Sequence, residues 1–255
     1  MRVPEPIRTE NLFAPLHEEL MALLRSLNAA EWHAPTVAGA WTVKDLTAHL
    51  LDTALRRLSL QRDGLTMPGA FDPNAANREW VSAAARLSPR ILIELMDRYG
   101  RENAEYLATL DPFAKAQWGV AWAGEEESPI WFDVARELTE RWHHQQQIRD
   151  AVGRPPLHEP YLKPVLATFI RALPFAYRDV EAPRGTAVVF NEWSLVREDS
   201  WTLYEGRAED PVTTIEIDDD LVWRIFTRQR VDPRARIEGD SGLAEPLFRT
   251  VAVVT

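Results

Sequence analysis

The sequence predicts an α+β protein in two parts, a four-helix bundle over residues 1–152 and a smaller α+β domain over 161–255, joined by a linker at 153–160. Three observations carry this. Apolar residues recur with the 3.6-residue period of amphipathic helices through the first part. A polar, Pro-rich stretch follows, Gly153-Arg-Pro-Pro-Leu-His-Glu-Pro160. Beyond it the period changes to short runs with partial alternation, clearest in Val212-x-x-Ile215-x-Ile217.

The elements follow in order. Leu12, Phe13, Leu16, Leu20, Leu23, Leu24 and Leu27 form one face of a first helix, with Pro15 near its start. Pro35 and Gly39 mark a loop. Thr42 opens a second helix, with Asp45 three residues on as a capping-box variant. Its inner face is Val43, Leu46, Leu50, Thr53 and Ala54. Gly64–Pro73 is a connector, Arg78–Ala85 a short helix, and Ser88-Pro89 the opening of a long helix over Ile91–Leu110. Asp111–Ser128 is a loop carrying Trp118 and Trp122. Pro129 opens the last bundle helix, which runs to about Val152, where Gly153 stops it. Four long amphipathic helices with their own apolar faces make a bundle expected to fold without the rest. In the second part, Tyr161–Tyr177 reads as helix interrupted by Pro174, and Gly185–Trp193, Trp201–Gly206 and Val212–Ile217 read as strands. A helix over Asp219–Arg228, a strand over Arg234–Glu238 and a helix over Leu243–Val253 complete it.

Composition excludes several functions. The net charge of −10 disfavours nucleic acid and anionic membranes, whose binding needs basic surface. There is no cysteine, so disulfides, thiolate metal sites and a cysteine nucleophile are out, and thiol chemistry would require a small-molecule thiol. The longest stretch free of acidic and basic residues, Trp32–Val43, would span only about 18 Å as a helix against a bilayer core of about 30 Å. MRVPEPIRTE has no apolar core of a signal peptide. A cytoplasmic monomer or homodimer is expected.

Without cysteine, a transition-metal site would use His with Asp or Glu. Glu140 and His144 stand one helical turn apart and can share an ion. His49, on the inner face of the second helix, is the best third ligand, and two His with one Glu match an open zinc site. Spacing alone leaves other readings open, since a lone His on an apolar face is commonly core and an E-x-x-x-H pair commonly faces solvent. A helical wheel sharpens the question. Trp131, Val134, Leu138, Trp142 and Gln145 cluster on one side, whereas Asp133, Glu137, Glu140, His144 and Gln147 form a polar stripe nearly opposite. A metal requires that stripe to face a cavity or the second domain. Asp218-Asp-Asp220, where a strand meets a helix, reads as a helix cap rather than a cation site. Glu125-Glu-Glu127 and Arg228-Gln-Arg230 read as complements to helix dipoles, and the ten Trp as core or aromatic pocket.

At these residues the chain resembles a known family. Trp41-Thr-Val-Lys-Asp-Leu-Thr-Ala-His49-Leu looks like the metal motif of the DinB-like superfamily, with Glu140-x-Trp142-x-His144 at its second motif. The branch it is most similar to is the mycothiol-dependent maleylpyruvate isomerase family. Thr214-Ile-Glu-Ile-Asp-Asp-Asp-Leu-Val-Trp223, Ile237-Glu-Gly-Asp240 and Leu243-Ala-Glu-x-Leu247 resemble its C-terminal domain. The resemblance implies a DinB-like bundle, a sterol-carrier-like C-terminal domain, and a divalent metal, zinc or alternatively nickel, on His49, Glu140 and His144. It implies that the polar stripe faces a cleft. It also implies a thiol such as mycothiol, held as thiolate, that attacks a small electrophile: an activated double bond that rotates before the thiol leaves, or another acceptor in a transferase reaction. Two positions depart from the family pattern: Gln147 stands where Asp is frequent, and Arg228 and Gln229 stand where Gly-Arg is frequent. A catalytic guanidinium would then come from Arg228 or Arg230. The alternatives are a hydrolase using metal-activated water, or a non-catalytic binding protein for a small ligand.

Overall fold

A computed structural model describes residues 1–67 and 72–253. Residues 68–71 of the expected Gly64–Pro73 connector, and the last two residues, lie outside them.

The helical half contains α1 (Phe13–Ser26), α2 (Val43–Arg57), α3 (Pro73–Ala84), α4 (Pro89–Leu107) and α5 (Ile130–Ala151). The start of α2 is a capping box in which the Thr42 hydroxyl accepts from the Asp45 N–H and the Asp45 carboxylate accepts from the Thr42 N–H. At its far end the chain widens into a π-helical turn over Leu58–Arg62. The helix expected from Arg78 starts earlier, because Asp72 caps it and Pro73 fills its first turn. α1, α2, α4 and α5 pack on one another as the bundle. Among the described residues, no helix is long and apolar enough to cross a membrane.

The second half begins with α6 (Leu162–Ile170) and α7 (Leu173–Ala176). A sheet follows, made of β1 (Ala187–Phe190), β2 (Trp193–Arg197), β3 (Trp201–Glu205), β4 (Thr213–Glu216) and β5 (Arg236–Gly239), with α8 (Asp219–Phe226) before β5 and α9 (Glu245–Arg249) after it. The order is β3-β2-β1-β4-β5, with β1 and β4 parallel and the other neighbours antiparallel. The expected Gly185–Trp193 strand is in fact one strand and the start of another. A two-residue turn at Asn191-Glu192, closed by Phe190 opposite Trp193, folds it back, and Asn191 takes φ +49°. Asn tolerates the left-handed region and so hides a turn inside an apolar run. The expected Leu243–Val253 helix reduces to a short 3₁₀ turn and α9, because Thr250 is extended and Ala252 ties back to the Phe226 carbonyl.

Two cores result. The smaller lies in the bundle and includes Leu20, Leu24, Leu46, Leu50, Leu92 and Met96. The larger runs without a break from α1 and α5 into the second half, joining Phe13, Leu138 and Trp142 to Phe169, Phe190, Trp223 and Phe226. The apolar stripe of α5 therefore packs on the α+β half, where Trp142 meets Trp223 edge to face at 5.2 Å. Its polar stripe is turned into the bundle, toward α2.

Candidate metal centre

That orientation makes α5 a helix buried on both faces. Asp133, Glu137, His144 and Gln147 are each under 10% exposed, at 2%, 4%, 7% and 4%. Buried charges must be paired, and α2 supplies the partner. Arg57, 2% exposed, donates to Asp133 at 2.8 Å and to Glu137 at 3.2 Å. Arg136 adds a contact to Asp133 at 2.7 Å and Arg141 one to Glu137 at 3.0 Å. Burial alone would raise the Asp133 carboxyl, but the Arg57 and Arg136 guanidiniums outweigh it and hold the group ionised. The same balance, with Arg57 and Arg141, lowers Glu137. Sequence reasoning missed Arg57. Its signal was a charge continuing the inward face Leu46, Leu50 and Thr53 of α2 at helical spacing.

One turn further along α5 the polar stripe changes character. Glu140 Oε1 lies 3.1 Å from His49 Nε2 and 3.2 Å from His144 Nε2. One ligand-type atom from each residue lies within 4.8 Å of the other two. The structure thus brings together all three residues singled out as ligands. α2 positions His49, whose ring rests on Trp41 with centroids 5.1 Å apart and whose Nδ1 is buried without a hydrogen-bond partner. Aromatic contact, not a second hydrogen bond, therefore sets its angle. His144 is held differently: its Nδ1 lies 2.7 Å from Gln147 Oε1. An amide oxygen only accepts, so Nδ1 donates to it, and Nε2, which faces Glu140 Oε1, is the nitrogen left to coordinate a metal. Gln147, at the position where Asp is frequent in the family it resembles, thus orients the His144 ring. Burial lowers the His49 pKa, with the Glu140 hydrogen bond opposing it, so the imidazole is neutral near pH 7. Burial also pushes the neighbouring His143 down to about 3, and its Nδ1 donates to the Thr139 carbonyl.

The donor set fits a divalent transition metal. Two imidazoles and one carboxylate are the ligand classes such ions prefer, and a tetrahedral ion with bonds of about 2.0–2.1 Å spaces its ligand atoms about 3.3 Å apart. Beside the cluster is a cavity of about 340 Å³, lined by His49 and Glu140 together with Thr53, Arg57, Trp118 and Trp122 among others. This is the cleft that the polar stripe needed. His144 is not among the residues that line it.

The remaining expected sites fall elsewhere. Arg228 and Arg230 are exposed, Arg228 sits at φ +59° just past α8, and neither is among the described residues lining the cavity. Asp218 caps α8 by accepting from the Asp220 N–H, while Asp220 accepts from Arg224, Trp223 and His158. Glu127 pairs with Lys115. Trp118 and Trp122 are half-buried in the cavity wall.

Comparison with known proteins agrees with this architecture. A family model, described as the mycothiol maleylpyruvate isomerase N-terminal domain, matches residues 13–149. The crystal structure of the mycothiol-dependent maleylpyruvate isomerase superposes with TM-score 0.59 at 15% identity, over 89% of this chain and 90% of that one. A mutant of it with a histidine replaced by alanine gives TM-score 0.56 at 15% identity, over 85% and 86%. At this identity the likeness to the solved structures is one of fold. No curated protein matches by sequence.

Proposed function

Since the chain belongs to the mycothiol maleylpyruvate isomerase N-terminal domain family, we propose that it is a cytoplasmic, metal-dependent enzyme. In this reading His49, Glu140 and His144 hold zinc or nickel, and a small thiol such as mycothiol attacks an electrophile there, in an isomerase or transferase reaction. The observation that carries it is the meeting of three ligand atoms, from two helices, beside a cavity of small-molecule size that His49 and Glu140 line. When bound, the metal would lower the pKa of the incoming thiol and hold it as thiolate. The protein's own residues do the rest. Glu140 supplies the anionic oxygen, since His144 and His49 outweigh the effect of burial and keep its pKa well below the usual carboxylate value. His49 and His144 would supply imidazole nitrogens, and Gln147 orients the His144 ring. Trp118 and Trp122 give the cavity an apolar aromatic wall.

Cobalt-substituted protein titrated with a small thiol provides the test. A new near-ultraviolet sulfur-to-metal band that saturates with thiol is expected. No band, together with thiol-independent turnover of esters, would point to a hydrolase instead.

A further inference from the structure

The walls of the cavity beside His49 and Glu140 say what kind of electrophile it accepts. We propose that the group held there is neutral, flat and apolar, an aromatic ring or its equivalent, and not a carboxylate-bearing acid. The inference rests on the reading above only for the word electrophile; the binding preference stands on the cavity itself.

Two observations carry it. The first is that each guanidinium on the cavity wall is already committed. Arg57 is matched by Asp133 and Glu137, at 2.8 and 3.2 Å. Its Nε has no partner but is sealed from solvent. Arg136 is matched by Asp133 at 2.7 Å, and Arg56 by Asp52 at 2.9 Å with Asn77 accepting from it at 2.9 Å. A substrate carboxylate entering here would compete with Asp133, Glu137 and Asp52 for guanidiniums that these acids already hold. Breaking a buried pair is far costlier than leaving it intact. The second observation is that the aromatic surface is already fixed in place. The Arg57 guanidinium carbon lies 5.7 Å from the Trp118 ring centre. Trp122 is held edge to face by Phe132 at 5.7 Å and Phe169 at 6.5 Å. Leu60 and Pro73 extend the apolar wall. A planar ring gains contact with indole faces that need no ordering on binding. A volume of about 340 Å³ gives room for one substituted ring.

The proposal is tested by calorimetry on the full-length protein, both chelated and zinc-loaded, with methyl cinnamate, cinnamate and maleate as probes. The neutral ester is expected to bind at least ten-fold more tightly than either acid in the chelated protein. Trp118→Leu is expected to weaken the ester at least ten-fold, and Leu60→Trp, which fills the space instead of emptying it, to do the same. Equal or tighter binding of an acid by the chelated protein overturns the proposal, as does failure of all three probes to bind or an ester affinity unmoved in both variants. Ester binding without any zinc binding would sustain this cavity assignment while removing the metal reading. Zinc binding without ester binding would do the reverse.

Discussion

Gln147 Oε1 accepts a hydrogen bond from His144 Nδ1 at 2.7 Å, one turn along the same helix. The contact occupies Nδ1 and leaves Nε2, on the Glu140 side, as the nitrogen proposed to coordinate. Loss of such a supporting partner typically costs about 10–100-fold in metal affinity. Gln147→Leu is therefore expected to weaken zinc binding by about that factor, whereas Gln147→Glu, which keeps an acceptor oxygen on a side chain of the same length, retains tight binding. Competition titration against a chromogenic chelator measures both. Equal affinity in wild type and Gln147→Leu would remove Gln147 from the site.

Glu137 and Glu140 are neighbours on the polar stripe with different roles, and their amides should separate them. Glu140→Gln is expected to lose bound metal, since the amide lacks the anionic oxygen that a cation requires. Glu137→Gln is expected to keep metal but to unfold at lower urea. It leaves Arg57 and Arg141 underpaired inside the bundle, and breaking a buried ion pair costs about 3–5 kcal/mol. Metal content and urea midpoints, read on the same two variants, give opposite rankings if this is right.

The pH dependence of stability in chelated protein should show two windows. Burial lowers the pKa of His17, whose ring occupies the space a Cβ on Gly100 would need, 2.4 Å away. A histidine neutral in the fold takes up a proton only when unfolded, so its contribution is complete above pH ~6.5 and is lost as pH falls below that. The lowered carboxyls of Asp133 and Glu137 act later, their contribution being lost below about pH 4. His17→Leu should reduce the slope of the first window, to which the buried His49 and His143 also contribute, by at most about 1.4 kcal/mol per pH unit, and leave the second alone. It also removes two buried nitrogens that have no hydrogen-bond partner. Urea unfolding at pH 7, 5 and 3.5 checks this; an unchanged slope between pH 7 and 5 would count against it.

Much of this was legible in the sequence, and what was not has physical reasons. Period and caps gave the bundle helices because Thr42 and Asp45, or Ser88 and Pro89, act locally. The pairing of His49 with Glu140 could be suspected but not read, since it joins residues 91 positions apart. The helical wheel separated the two stripes of α5 but could not say what each one meets, because it reads one helix at a time. Here the apolar stripe meets the second half, and the polar stripe meets Arg57 and His49. A charge-neutral interior looks like a surface when only one helix is examined. β2 was hidden because Asn191 makes a turn that requires neither Gly nor Pro.

The shared core bears on the division at 153–160, which we propose as a boundary of architecture and not of independent stability. A fragment of residues 1–152 uncovers Val134, Leu138 and Trp142. It is expected to be molten or to aggregate, and Trp223→Ala in the full chain to cost about 3–5 kcal/mol. Sharp, cooperative unfolding of a soluble 1–152 fragment would contradict the first expectation.

The central claim is that His49, from one helix, completes a metal site with Glu140 and His144 from another. It is tested most directly by thermal unfolding of wild type and His49→Ala, each with and without chelator. Metal bound only by the folded state stabilises it by mass action, about 2.7 kcal/mol at a free concentration 100 times Kd. Chelator should therefore lower the wild-type Tm by several degrees and leave that of His49→Ala almost unmoved. A chelator response of equal size in the two proteins, or none in wild type as purified and after zinc loading, would contradict the account.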